Sequence, residues 1–264
     1  MKILEQFIKG KSPDESLCED KIFYNENFIV VADGVTAKDD TLFDGETGGR
    51  AAAGLVCEAV AELQYDADVF EAVELMTRKV ARLYKENVKT RSAAASVIIY
   101  SNYRNEIWSI GDCQCIINGE LFAHSKEIDR IVSDMRSLVL ELARREGATD
   151  EELSENDPGR AFILPVIKKQ RIFANSDGRF SYGVIDGNRV HKKDIEVHKV
   201  KSGDEIVLAS DGYPELCTTL NESEQKLEKE LKNNPLCDGD YRSTKGLGKN
   251  NLSFDDRAYV RFLV

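Results

Sequence analysis

The stretch Phe28-Ile29-Val30-Val31-Ala32-Asp33-Gly34 places an acid and a glycine directly after five consecutive apolar residues. A short apolar run of this kind, next to turn residues, predicts a β-strand. Phe23-Tyr24 precede it across the turn Asn25-Glu26-Asn27, so the two segments are expected to form an antiparallel hairpin. Pairing about this turn places Asp20 opposite Asp33. Two carboxylates are therefore expected at one edge of the sheet.

Predicted helices and strands continue along the rest of the chain. Apolar residues at helical spacing predict two helices, over 48–63 and 68–88. Asn118-Gly119 is typical of a type I′ turn and indicates a meander of short antiparallel strands around it. The mixture predicts an α+β fold, an antiparallel β-sandwich. Further strands are predicted over 95–100, 107–110, 113–117, 121–122, 171–174, 180–185, 194–199, 205–209 and 258–264, with helices over 134–146 and 223–232.

Length and composition indicate one folded domain. The chain has 264 residues, of which 42% are hydrophobic and 31% charged, which is typical of a globular protein. No repeat or linker divides the sequence, so we expect a single domain over 1–264. The 36 basic and 47 acidic residues give a formal charge of −11, without a compensating basic run. Nucleic acid is therefore a poor partner.

The distribution of apolar residues and cysteines indicates a cytoplasmic location. No apolar run approaches the roughly 20 residues of a membrane span, so no membrane association is expected. Residues 1–11 hold too few apolar residues for a secretory signal. The six cysteines lack C-x-x-C spacing, which favours reduced thiols over a disulfide or a zinc site. They are Cys18, Cys57, Cys113, Cys115, Cys217 and Cys237.

Acidic residues recur where predicted strands end or begin. Asp211 follows the apolar strand 205–209, Asp112 lies between two strands, and Asp255-Asp256 precede the last strand. In an antiparallel sheet the end of one strand lies beside the start of the next, so these acids are expected at one rim. Carboxylates at such close range repel one another unless a cation binds between them. An oxygen-only cluster suits Mg²⁺ or Mn²⁺.

Six short motifs occur in order along nearly the whole chain. They are VADG at 31–34, GGRAA at 48–52, SAAASVII at 92–99, SIGDC at 109–113, LASDG at 208–212 and FDD at 254–256. Each motif alone is weak, because Asp-Gly is a common turn dipeptide. In their order and spacing they resemble the motifs of the bacterial-type, metal-dependent PPM (PP2C-like) serine/threonine protein phosphatases. The resemblance implies a β-sandwich flanked by helix pairs in four α-β-β-α layers, and hydrolysis of phosphoserine or phosphothreonine by a metal-bound bridging water.

The same resemblance implies a role for individual residues around two Mn²⁺ or Mg²⁺ ions, with a third, weaker ion beside them. Such a pair of ions, about 3.5–4 Å apart, activates a water and neutralises the attacking and leaving oxygens. Asp33, Asp211 and Asp255 are the implied catalytic residues. In the family pattern, Asp33 bridges both ions and the Gly34 carbonyl binds one of them, while Asp211 and Asp255 hold the first ion. Glu19 and Asp20 hold waters of the second ion. Asp112 shares the third ion with Asp211, and Glu215 contacts a metal-bound water.

The chain departs from the family pattern at the phosphate-binding position. Glu15 stands where the family has an arginine, five residues before Asp20, so the phosphate-binding group is unassigned, with Lys9 and Lys11 as candidates. The alternative to an enzyme is therefore a phosphatase-fold binding or regulatory module with weak or no turnover. Retention of the three catalytic acids favours the enzyme, with a phosphoprotein substrate and a partner Ser/Thr kinase.

A variable, flap-like insertion is expected around 124–180, where the resemblance places it beside the site. The acids within 148–161 are expected to favour basic phosphopeptides over acidic ones. Four further Asp-Gly pairs are interpreted as turns, including one within a second Ser-Asp-Gly sequence, 176–178, whose flanks are polar. They begin at Asp44, Asp177, Asp186 and Asp238.

Overall fold

The computed structural model describes residues 1–36, 41–84 and 92–264. The strands among these residues are β1 (Lys2–Lys9), β2 (Lys21–Tyr24), β3 (Phe28–Gly34), β4 (Leu42–Phe43), β5 (Glu46–Thr47), β6 (Ala95–Ser101), β7 (Glu106–Ile110), β8 (Gln114–Ile117), β9 (Glu120–Phe122), β10 (Glu196–Lys199), β11 (Glu205–Ala209) and β12 (Arg257–Leu263). The α-helices are α1 (Gly48–Ala61), α2 (Val69–Ala81), α3 (Glu127–Arg145), α4 (Asp150–Glu155), α5 (Pro158–Lys169) and α6 (Leu220–Asn233).

Two five-stranded antiparallel sheets face each other at the centre of the molecule. One sheet has the strand order β1-β12-β11-β8-β9 and the other has the order β10-β7-β6-β3-β2. Ile29 and Val31 of β3 pack between the sheets together with Leu208 of β11 and Val260 of β12. The predicted antiparallel sandwich is confirmed.

Helices cover the outer faces of the sheets and complete an α-β-β-α arrangement. The outward-facing side chains of β3, Phe28 and Val30 among them, pack with α1 and α2. On the other sheet, Val207 of β11 packs with Leu227 of α6 and with Phe254 of the loop that follows this helix. Because both of its faces are covered, β3 is buried from Phe28 to Ala32.

The β2–β3 hairpin has the register that its sequence predicts. Lys21 pairs with Ala32 and Ile22 pairs with Val31. This register continues into Asp20 opposite Asp33, so the two acids lie at the same end of the hairpin.

The start of α1 lies against the end of β3, and two glycines allow the close approach. A Cβ atom built on Gly34 would lie 2.5 Å from the carbonyl carbon of Gly49, far inside van der Waals contact. Thr47 caps the helix by accepting a hydrogen bond from the Arg50 amide. The start of α1 therefore packs directly against the backbone of Gly34, next to Asp33.

The insertion over 124–180 contains α3, α4 and α5. The prediction for its first helix was too short, because α3 begins at Glu127 rather than at 134. The polar segment 148–160 is partly helical, since Thr149 and Glu152 form a capping box for α4. Asp157 caps α5 directly before Pro158 at the first helical position.

Four other segments differ from their predictions. The predicted strand at 171–174 is a 3₁₀ helix, Gln170–Phe173, and 180–185 forms only isolated bridges, such as Ala95 to Ile185. The edge strand β1 was not predicted, although its burial alternates along all eight residues. The predicted helix over 68–88 ends as α2 at Ala81, and its last positions, 85–88, lie outside the described residues. No described helix is both long and apolar enough to cross a membrane.

Candidate metal centre

Three acids from separate strands meet at one rim of the sandwich. Carboxylate oxygens of Asp33, Asp112 and Asp211 all lie within 4.8 Å of one another. Asp33 belongs to β3, while Asp112 and Asp211 follow β7 and β11. The three acids line a cavity of about 800 Å³ that extends under the insertion. The structure therefore brings together three of the acids predicted from the strand ends.

Asp33 and Asp211 open onto the cavity, where Asp33 is partly exposed and Asp211 is exposed, yet the surrounding protein and the other acids disfavour their ionised forms. Burial raises the pKa of Asp33 well above its usual range, and the charges of Asp20 and Asp112 add to this effect. Burial likewise raises the pKa of Asp211, with further contributions from the charges of Asp33 and Asp112. Both carboxylates are thus unfavourable as neighbouring anions unless a cation joins them.

Asp20 is the most isolated carboxylate of the site. It is 2% exposed, and neither of its carboxylate oxygens has a hydrogen-bond partner among the described residues. Burial raises its pKa well above the usual range, and the Ser210 hydroxyl nearby offsets this only in part. A buried acid without a partner is rare in folded proteins and indicates a ligand position.

Asp112 is held by two donors and differs from the other acids. Ser96 Oγ donates to Oδ1, and Lys126 Nζ donates to Oδ2 at 2.5 Å. Although burial opposes it, the Lys126 charge lowers the pKa of Asp112. Gly111 has a φ of +98°, and a Cβ there would lie 2.3 Å from Ser96 Oγ, so glycine is required for this turn.

Asp255 forms ion pairs with two lysines. Lys11 Nζ donates to Oδ1 at 2.7 Å, and Lys245 Nζ donates to Oδ2 at 2.6 Å. Although burial opposes it, the two lysine charges lower the pKa of Asp255 well below its usual range. Lys11 also lies 3.2 Å from Asp256 and 3.7 Å from Glu19. This side of the site is therefore charge-compensated by the protein itself.

Glu19 is fixed by two threonine hydroxyls. Thr36 and Thr47 each donate to its carboxylate at 2.6 Å, and its backbone amide donates to Asp256 at 3.1 Å. Glu19 is 3% exposed, so its orientation is set by these contacts.

Other predicted residues lie apart from the cluster. Glu215 is exposed and pairs with Lys226 at 2.7 Å. Asp177, in the second Ser-Asp-Gly sequence, has an 88% exposed side chain, and Asp186 accepts hydrogen bonds from Asn188 in a local turn. The interpretation of these two Asp-Gly pairs as turns is confirmed.

Comparison with known proteins was informative only at the level of three-dimensional structure. No protein-family model matches the chain, and no curated protein sequence matches it either. The Mycobacterium tuberculosis serine/threonine phosphatase PstP/Ppp superposes with a TM-score of 0.51 at 16% identity, over 98% of this chain and 97% of that one. The fold is PP2C-like.

Two further structures share this PP2C-like fold. The catalytic domain of PstP in complex with two manganese ions gives a TM-score of 0.52 at 16% identity, covering 100% of both chains. Stp1 from Staphylococcus aureus gives 0.51 at 16% identity, over 98% of this chain and 94% of that one. At these identities the likeness establishes the architecture, and the chemistry must be argued from this chain's own residues.

The residues at the rim of this PP2C-like sandwich fit divalent cations. The donor set consists of oxygen atoms, which suits Mg²⁺ or Mn²⁺. The raised pKa values of Asp33 and Asp211 and the two unpartnered oxygens of Asp20 mark the side of the site that lacks positive charge. Lys11 and Lys245 already neutralise the Asp255 side.

Sequence analysis missed several cations of this PP2C-like site. Lys126 precedes α3, Arg160 belongs to α5, and Lys245 lies in the loop after α6. All three line the cavity that holds the acids. None of the three lies in a recognisable motif, so no local pattern indicates them. Lys11 was a candidate, and its ammonium group does contact the site acids.

Proposed function

We propose that this protein hydrolyses phosphoserine or phosphothreonine in phosphoproteins in a reaction that depends on Mn²⁺ or Mg²⁺. The observation that carries the proposal is the strand-end cluster of Asp33, Asp112 and Asp211 beside the unpartnered Asp20. Divalent ions held there supply an activated water and neutralise charge on the phosphoryl oxygens. The manganese pair in the complex of PstP supports two ions as the resident set, with a third, weaker one near Asp112.

Each residue has a distinct part in the proposed site. In this proposal Asp33 would bind both ions, the Gly34 carbonyl would bind one of them, and Asp211 and Asp255 would hold the first ion. For Asp255 this requires that its carboxylate share charge with Lys11 and Lys245, which both contact it.

The remaining acids, Asp20, Glu19 and Glu215, have supporting parts in the proposed site. Asp20 lies beside Asp33 at the end of the hairpin, where it would hold water near the second ion. Glu19 keeps one geometry because two threonines bind it. Glu215 would have to leave Lys226 to take part.

The expected substrate is a phosphoprotein, with a Ser/Thr kinase acting in the opposite direction. The six cysteines are free thiols, which fits the proposed cytoplasmic setting. None of the insertion's acids at 150–157 lines the cavity among the described residues, so a preference for basic peptides has to come from charges farther out.

The deciding experiment measures hydrolysis of p-nitrophenyl phosphate and of a phosphothreonine peptide by the purified protein. We expect activity with added Mn²⁺ or Mg²⁺, none with chelator, and background activity for Asp33→Asn. Asp177→Asn is the matched control, because it changes the same residue type in an exposed turn. Full activity after metal removal would overturn the proposal.

A second outcome distinguishes the alternative function. A protein that binds Mn²⁺ and a phosphopeptide but hydrolyses neither substrate is the binding or regulatory module. The loss of the family arginine at Glu15 favours this alternative, whereas the uncompensated acids on the Asp33 side favour the enzyme.

A further inference from the structure

The position that binds phosphate in related sequences is acidic here and faces away from the cavity. Glu15 is exposed, and its carboxylate accepts a hydrogen bond from the Gly10 amide at 3.2 Å. It is absent from the residues that line the cavity. A phosphoryl dianion in this site therefore needs another cation. Among the described residues, the basic side chains lining the cavity are Lys126, Arg130, Arg160, Arg242 and Lys245.

Four of these five cations pair with carboxylates of the described ranges, and Arg160 is the exception. Lys126 is 12% exposed and lies between Asp112 and Asp129. Arg130 and Arg242 both pair with Asp134 of α3, at 3.4 and 2.9 Å. Lys245 has a single carboxylate partner in these ranges, and that partner is the site acid Asp255.

Lys245 contacts the site acid Asp255 and also lines the cavity. Its ammonium donates to Asp255 Oδ2 at 2.6 Å, and its side chain lines the cavity with 32% exposure. An ammonium group has three donors, so one contact with Asp255 leaves donors for a ligand. Lys11, the other partner of Asp255, does not line the cavity and has Asp256 as a second partner at 3.2 Å.

Arg160 lies beside Lys245 and has no ion pair within the described part of the chain. Its Nη1 donates to the Thr244 carbonyl at 2.8 Å, next to Lys245 in sequence. Burial and the nearby Arg136 charge lower the pKa of Arg160. The charges of Asp157 and Asp129 offset this effect only in part, so a half-buried guanidinium without an ion pair favours an incoming anion.

The backbone that carries Lys245 is fixed before any ligand binds. Arg136 Nη1 donates to the Ser243 carbonyl at 3.1 Å, and Arg160 holds the next carbonyl. Asp157 connects the two arginines, because its Oδ2 accepts from Arg136 Nε at 2.8 Å while its Oδ1 accepts from the Arg160 amide at 2.6 Å. Such preorganisation lowers the entropic cost of binding.

We propose that Lys245 and Arg160 bind the phosphoryl oxygens of the substrate, in place of the arginine that this chain lacks. The inference rests on the proposed phosphatase function. Lys245 acts as a point charge that bridges Asp255 and the phosphoryl group, and the Arg160 guanidinium supplies paired donors suited to phosphate oxygens. The cavity wall between α5 and the loop after α6 is thus the phosphate-binding wall.

The test measures inorganic phosphate binding by calorimetry in saturating Mn²⁺, for Lys245→Met and Arg160→Met. Each loses charge-assisted hydrogen bonds, so we expect phosphate affinity to fall about tenfold or more. Lys249→Met and Arg145→Met are the controls, because these side chains are 80% and 77% exposed. Lys245→Arg should keep most of the affinity.

Metal affinity separates this role from a merely structural one. If Lys245 only neutralises Asp255, Lys245→Met tightens Mn²⁺ binding and leaves phosphate affinity unchanged, and the proposal fails. In steady-state assays, both methionine variants should show a higher KM for p-nitrophenyl phosphate. Unchanged KM values in an active enzyme overturn the inference while the phosphatase function stands.

The opposite result is equally informative. If the wild-type protein binds phosphate through Lys245 and Arg160 but hydrolyses no substrate, the proposed function fails and the binding wall stands. Arg160→Lys is the second variant if Arg160→Met does not fold, and its phosphate affinity should lie between those of wild type and Lys245→Met.

Discussion

Replacing Arg136 with methionine should destabilise the protein more than any exposed substitution on the same helix. The Arg136 side chain is fully buried, and its Nη1 donates to the Leu236 carbonyl at 2.7 Å in addition to the Ser243 carbonyl. Its guanidinium also forms the ion pair with Asp157. Methionine fills similar space but donates no hydrogen bond, so the carboxylate and the carbonyls would lose their partner.

The magnitude follows from the type of interaction that is lost. Removing one partner of a buried ion pair costs roughly 3–5 kcal/mol, because the other charge is left without compensation. Arg145→Met is the matched control on α3, since Arg145 is 77% exposed and its pair with Glu141 is a surface i,i+4 contact. Such a pair contributes only about 0.3–0.5 kcal/mol.

The assay is equilibrium unfolding in urea at pH 7, followed by circular dichroism, with chelator present. We expect a much lower urea midpoint for Arg136→Met than for wild type and nearly no change for Arg145→Met. Arg136→Lys should be intermediate, because it keeps the charge and loses the bidentate geometry. A difference below about 1 kcal/mol between the two methionine variants would refute the buried ion pair as a stabilising element.

Three further predictions concern the site. Burial raises the pKa of Asp20, so its ionisation opposes folding as the pH rises. Asp20→Asn should therefore stabilise the metal-free protein at pH 7 and reduce the increase in melting temperature that Mn²⁺ causes. A variant that is less stable than wild type in chelator would contradict this. Asp211→Asn should reduce turnover roughly 10²-fold or more while Asp177→Asn changes little, and equal losses in folded proteins would mean that the wrong Ser-Asp-Gly sequence was chosen. Gly34→Ala should lower the free energy of unfolding by about 1–3 kcal/mol, because the added Cβ would overlap Gly49. Gly54→Ala has open space around its Cβ and should raise the free energy of unfolding, measured in urea, by about 0.5–1 kcal/mol. Similar values for the two variants would contradict the close contact between Gly34 and Gly49.

The hairpin and the strand-end acids were predictable because local sequence determines them. The five apolar residues before Asp33 fix a buried strand, and the short turn before them fixes its register. The glycines at 34, 111 and 212 follow or precede an acid because each backbone turns in a crowded place. Local constraints of this kind leave a pattern that can be read without the fold.

The missed features depend on contacts between distant parts of the chain. β1 shows no alternation of polar and apolar residues, because Ile3-Leu4 and Phe7-Ile8 are adjacent apolar pairs. Its partner β12 lies at the other end of the sequence. Lys245 and Arg160 lie on a loop and on an insertion helix, and only the packed structure brings them to the same cavity. The predicted strand at 171–174 failed because Phe173 packs beside α3 and α5 rather than in a sheet.

The two carboxylate oxygens of Asp157 bind different partners, so the position of Arg160 depends strictly on the number of residues between 157 and 160. One carboxylate oxygen caps the start of α5 and the other binds Arg136. Arg136 in turn binds the loop that carries Lys245. The number of residues between 157 and 160 therefore sets the direction in which Arg160 leaves its helix relative to that loop. A single inserted residue in this interval would turn Arg160 by about 100° and carry its guanidinium off the cavity. An insertion at 147–149, before the cap of α4, leaves this count unchanged. Tolerance to length variation in the insertion should therefore end abruptly at Asp157.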